Sequence, residues 1–224
     1  MRAVGGCRAL RRHTHALPHE LPMSARLMGL VGLAVLAFAW AGPLPHLVQQ
    51  SFAAHMWLHM LVVGVAVPLI AAWLARHVAV TSALALPIVV SLLDFVVVWG
   101  WHAPALHHAS RTEPWVLAVE QFTFFGISLL VWLVALSGRD QGNAALGGAM
   151  ALFFTSMHMT LLGALLGLSP RPLYAGHSEG DGWLGLAPLA DQQVGGVVML
   201  GIGGVVYLVG GLVLMARVLK RVPA

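Results

Sequence analysis

The chain has 224 residues, 59% of them hydrophobic and 9% charged, with 12 Lys and Arg against 8 Asp and Glu. An ordinary soluble domain is about a quarter charged, so this composition excludes a water-soluble globule and makes a lipid bilayer the expected solvent. The basic residues sit between apolar runs rather than along a stripe, which excludes nucleic acid as a partner, and the single Cys7 excludes any disulfide framework or multi-thiolate metal site within one chain.

In chain order, residues 1–26 carry Arg2, Arg8, Arg11, Arg12 and Arg26 with Pro18 and Pro22, and read as a basic, disordered cytoplasmic tail. Residues 27–217 read as a transmembrane helical bundle and 218–224 as a second basic cytoplasmic tail. A span needs roughly 20 mostly apolar residues. Such runs fall at 27–42, 51–75, 80–101, 114–137, 143–168 and 188–216. The fold class is therefore all-α, a polytopic transmembrane bundle of about six helices. The first run, ending in Ala39-Trp40-Ala41, also has the pattern of a secretory signal, and that alternative stays open.

With the N-terminal tail inside, ten Lys and Arg lie on the cytoplasmic side and only Arg111 and Arg171 outside. This bias predicts a multi-pass protein of the bacterial inner (plasma) membrane with both termini cytoplasmic. Trp99, Trp101 and Trp115 near the outer ends, and Trp73 and Trp132 near the inner ends, fit the interfacial aromatic belts.

A rise of about 1.5 Å per residue converts position into depth. His55 and His59 then lie roughly 6 and 12 Å below the outer surface, Glu120 roughly 9 Å, Asp94 roughly 12 Å, His158 roughly 15 Å and Asp191 roughly 5 Å, with His102 near the surface. Ionisable groups in hydrocarbon are costly and are functional by default. No Lys or Arg lies within the spans to neutralise Asp94 and Glu120. Histidines, a bound cation or protonation must do so. His55 and His59, at i and i+4, share one helix face, and imidazole with carboxylate suits copper, zinc or iron. The candidate metal ligands are therefore His55, His59, His102, His158, Asp94, Glu120 and Asp191.

Each has a plainer reading. His102 can reach interfacial water, His158 can be a core histidine bonded to backbone, Asp94 can be protonated beside Ser91, and Asp191 with Gln192 can cap the last helix. His13, His15, His19, His46, His77, His107, His108 and His177 lie in tails or loops and read as solvated. Met56, Met60, Met157, Met159 and Met199 flank the polar positions, as soft donors for Cu(I) or as gap-fillers.

From about His46 to Arg217 the chain resembles the CtaG-type cytochrome c oxidase assembly factors, integral membrane proteins associated with copper supply. The residues that carry the likeness are His55-Met56-Trp57-Leu58-His59, Trp101-His102-Ala103-Pro104, Glu120, and Met157-His158 followed by Leu162-Gly163-Ala164. Ser169-Pro170 with Pro172-Leu173-Tyr174, and Asp191-Gln192-Gln193 with Gly195-Gly196, complete it. Where that family's pattern places a His after the Glu, this chain has Gln121, and members are often longer, with seven helices. The resemblance implies a copper-binding assembly factor that helps load a haem–copper cytochrome c oxidase. Its partners would be oxidase subunits and the bilayer, and it would be a binding protein rather than an enzyme. Two alternatives remain from the residues: a b-type haem electron carrier, with His59 and His158 at suitable depths, and an intramembrane metal-dependent hydrolase using Glu120 or Asp94 as base.

Overall fold

In lipid every backbone polar group must be satisfied internally, and a helix does so within one segment. The computed structural model describes residues 23–78, 86–137, 142–174 and 185–220, and among them every regular element is helical. Helix α1 (Met23–Ala41) is followed by a short α2 (Leu44–Leu47). Helix α3 (Phe52–Met60) passes through a π-helical segment (Leu61–Ala66) into α4 (Val67–Leu74). Helices α5 (Leu86–Trp101), α6 (Pro104–Thr112), α7 (Pro114–Ser137) and α8 (Gly142–Gly167) follow. Helix α9 (Pro188–Val198) then continues through a second π segment (Met199–Gly204) into α10 (Val205–Leu219).

Five stretches among the described residues are long and apolar enough to cross a membrane: Ser24–Leu47, Phe52–Leu74, Pro114–Ser137, Ala144–Gly167 and Pro188–Leu219. Helices α5 and α6, bent by 70° where Pro104 begins a new helix, form a sixth if they count as one span. This is the all-α bundle that hydropathy predicts. The expected tails lie mostly outside the described residues, but α1 already begins at Met23 and α10 runs to Leu219. Part of the expected third span, 80–85, also lies outside them.

Helix α5 shows how one apolar run is divided between lipid and core. Ile88, Leu92 and Val96, four residues apart, are 64%, 52% and 62% exposed, whereas Val90, Asp94 and Val98 are buried. The polar residue thus sits on the inward stripe. Helix α1 lies against α4 through small residues: a Cβ on Gly29 would meet the Trp73 ring at 2.9 Å, and one on Gly32 would meet Ile70 Cγ1 at 2.8 Å. Helix α1 is thus a wall of the bundle. Trp132 departs from the expected belt; it is 7% exposed and packs on Tyr207, ring centroids 5.4 Å apart.

Backbones approach most closely between α8 and α9, where a Cβ on Gly163 would lie 2.8 Å from both the Gly196 carbonyl oxygen and the Leu200 nitrogen. Neither backbone atom can retreat without losing helix geometry. Gly163→Val is therefore expected to destabilise the bundle by about 1–3 kcal/mol, read as a lowered melting temperature in detergent. Unchanged melting would contradict this close approach.

The two π segments widen their helices at facing positions, with Gly64 of the first packed toward Ile202 of the second. Side chains satisfy carbonyls there: Tyr207 Oη donates to Val63 O at 3.4 Å and Ser156 Oγ to Gly204 O at 2.7 Å. Tyr207 also bonds Ser128 on α7.

Candidate metal centre

The helix ends that carry polar residues meet at one end of the bundle. Helix α3 starts there, held by a cap from a distant helix. Asp191 on α9 accepts from Ser51 Oγ and the Phe52 amide, both at 2.6 Å, and from the Ala53 amide at 3.3 Å, while Ser51 Oγ accepts from the Ala54 amide. Three donors at a helix N-terminus satisfy a buried carboxylate well. Asp191 therefore does cap a helix, but α3 rather than its own. One turn further on, His55 and His59 present their rings on the same face, with centroids 4.5 Å apart.

Glu120, in the second turn of α7, meets that face. Its Oε2 lies 2.8 Å from His55 Nε2, and its Oε1 lies 3.7 Å from His59 Nε2 and makes no hydrogen bond. All three side chains are buried. His102, the residue after α5, is also buried, and its ring lies 6.0 Å from that of His59.

The network assigns the ring protons. The Trp40 indole N–H only donates, so Gln121 Oε1, 3.4 Å away, is the acceptor and the Gln121 amide nitrogen faces His59 Nδ1 at 3.0 Å. His59 Nδ1 accepts, and neutral His59 carries its proton on Nε2, directed toward Glu120. An ionised Glu120 only accepts, and in that form His55 Nε2 donates to it; His55 Nδ1 has no hydrogen-bond partner. His102 Nδ1 donates to the Val98 carbonyl at 2.7 Å, which leaves Nε2 bare as well. Bare, buried imidazole nitrogens beside a carboxylate are the donor set that copper, zinc or iron would accept. Gln121 thereby fixes the tautomer of His59.

The residue that sequence reasoning missed is His107. Expected to be solvated, it is 1% exposed, because α6 folds back over the cluster and turns His107, Ser110 and Arg111 inward. Ligand atoms of His107, His55 and Glu120 all lie within 4.8 Å of one another, the one such group among the described residues. The His107 ring packs on His55 at 4.8 Å and on Tyr174 at 4.3 Å. Tyr174, stacked on Phe52, donates its hydroxyl to the His102 carbonyl, and burial raises its pKa so that the phenol keeps that proton. Gln192 and Gln193 tie down the segment bearing Tyr174: Gln192 accepts from the Leu173 amide at 2.6 Å and Gln193 donates to Ser169 O at 3.2 Å. Between α6 and this segment lies a cavity of about 160 Å³, lined by Pro104, His107, His108, Arg111, Leu173 and Tyr174. His107 is thus at once its wall and a member of the cluster.

Of the residues singled out in the sequence, His55, His59, His102 and Glu120 come together. His158 and Asp94 form a pair of their own: His158 Nε2 lies 3.0 Å from Asp94 Oδ2, which also accepts from Thr155, and the His158 ring packs edge-on against Phe95 and Phe154. His59 and His158 therefore each bond a different partner, Gln121 and Asp94. His46, His77 and His108 are exposed as expected, and His13, His15, His19 and His177 lie outside the described residues.

Neither a curated protein nor a solved structure matches the chain. A family model does, that of the cytochrome c oxidase caa3 assembly factor, over residues 4–221. A match over nearly the whole length, on a helical bundle with this buried histidine cluster, means that the chain belongs to the cytochrome c oxidase caa3 assembly factor family.

Proposed function

We propose that this protein is a copper-binding assembly factor of the plasma membrane, which holds copper among His55, His102, His107 and Glu120, with His59 hydrogen-bonded beside them, and passes it to a haem–copper cytochrome c oxidase. The observation that carries this reading is the approach of His55, His59 and His107 to a single buried carboxylate, with His102 alongside His59 and with His55 Nδ1 and His102 Nε2 lacking hydrogen-bond partners. Copper is cargo in this reading. The cavity beside His107 gives it access from the outer face, where the charge bias places this end of the bundle. Glu120 compensates the charge of the ion, which hydrocarbon cannot do. Asp191 acts by setting the start of α3, and the Asp94–His158 pair by keeping a carboxylate partnered within the bundle.

The test is a strain lacking the protein. Oxidase activity and oxidase copper content should fall at limiting copper while the oxidase polypeptides and their haem persist, and added copper should partly restore activity, because mass action replaces delivery. The purified protein should contain copper by metal analysis and lack a haem absorbance. His77→Ala, exposed at the opposite end of the bundle, should behave as wild type. Loss of oxidase polypeptide at saturating copper would overturn the delivery role in favour of a scaffold.

A further inference from the structure

The bundle gathers a second kind of donor on another face of α3. Met56 and Met60 lie one turn apart there, and both are buried. The last span turns its small residues toward them. A Cβ on Gly195 would meet Met56 Cγ at 2.9 Å, and one on Gly203 would lie 3.2 Å from Met60 Sδ and 3.7 Å from Met159 Sδ. Two thioether sulfurs from different helices thus face one point, at a residue that has no side chain to fill it. Met199 falls between Gly195 and Gly203 in the same four-residue register and is 1% exposed.

A second observation marks the place. Met60 immediately precedes the first π segment and Gly203 lies within the second, so the point the two sulfurs face sits where both helices widen. Such π turns are uncommon and occur frequently at functional sites. The geometry points to a soft-metal site formed by Met60 and Met159, specific for monovalent copper and separate from the imidazole cluster. The proposal deepens the copper reading above and rests on it for its biological meaning. Neutral thioethers select Cu(I) over divalent ions. A set without carboxylate also leaves only a single positive charge in the bundle, which a membrane interior tolerates better than a divalent ion.

Packing alone would give methionines another use, as fillers of irregular gaps. The two roles separate on replacement by leucine, which keeps volume and removes sulfur. The experiment uses the full chain purified in detergent with Cys7→Ser, which removes the only thiol, and titrates it with Ag(I) as a redox-inert probe. X-ray absorption reads the ligands. Wild type should bind one Ag(I) with sulfur scatterers. The Met60→Leu/Met159→Leu variant should lose that equivalent, and Gly203→Ala, which fills the meeting point while keeping every sulfur, should weaken it at least tenfold.

Glu120→Gln should leave the sulfur-ligated ion in place, which separates this site from the cluster. Absence of sulfur-ligated Ag(I) in wild type, or its full retention in the double leucine variant, would overturn the proposal. If the sulfur site is found while oxidase activity proves independent of the protein, the copper-delivery reading fails and the site stands.

Discussion

Glu120→Gln should strip copper from the imidazole cluster while the bundle stays folded. Glu120 is the only acid among the converging side chains, with one oxygen 2.8 Å from His55 Nε2 and the other 3.7 Å from His59 Nε2. The amide has the same shape, so its oxygen can still accept from His55, at a cost of about 1–2 kcal/mol for the weaker bond. What it lacks is charge. Neutral imidazoles alone must then repay the free energy of taking the ion from water, a cost that is greatest for a divalent ion. Removal of groups that merely orient ligands lowers metal affinity by about 10–100-fold, so loss of the compensating carboxylate should lower it by at least about 100-fold. His107→Ala should follow the same course, since its ring both lines the access cavity and reaches His55 and Glu120. Equilibrium dialysis with a competing chelator reads the affinity, and oxidase activity at limiting copper reads the consequence. Wild-type copper content in Glu120→Gln, with melting unchanged, would remove Glu120 from the site.

The sequence made the spans legible because lipid imposes one simple rule, about 20 apolar residues per crossing. It also made half the site legible, because i, i+4 spacing puts His55 and His59 on one helix face whatever the tertiary fold. The pairing of Glu120 with His55 across 65 residues follows from helix packing, which hydropathy does not encode. Depth alone put His158 with the others, but depth fixes a level and not a direction. His158 turns to Asp94. His107 was hidden by its neighbours, since a stretch with Pro104, His108 and Arg111 reads as a solvated loop. A signal was nonetheless present: Pro104 in the first turn opens a helix, and His107, Ser110 and Arg111 at i, i+3 and i+4 mark one face of it. The π segments carry no comparable mark, because their widening is held by Tyr207 and Ser156 from other helices.

Asp191 offers the second large effect, and the clearest separation of a ligand from a support. Its carboxylate answers one hydroxyl and two backbone amides at the start of α3, all buried. Asp191→Ala would remove the acceptor to which the Phe52 and Ala53 amides donate, where water does not easily reach, at about 1–3 kcal/mol each. It would also remove a negative charge from a helix N-terminus, worth up to about 2 kcal/mol in partly buried settings. A loss on the order of 3–5 kcal/mol is therefore expected, seen as a large fall in melting temperature and in the amount of protein in the membrane. Asp191→Asn keeps one oxygen to accept and should recover part of that stability. A metal ligand would behave differently: its asparagine variant would melt nearly as wild type but hold copper weakly. With Asp191 as the cap, the asparagine variant should melt lower yet bind cluster copper with wild-type affinity at temperatures where it is folded. Weak copper binding by Asp191→Asn at wild-type melting temperature would return this carboxylate to the metal.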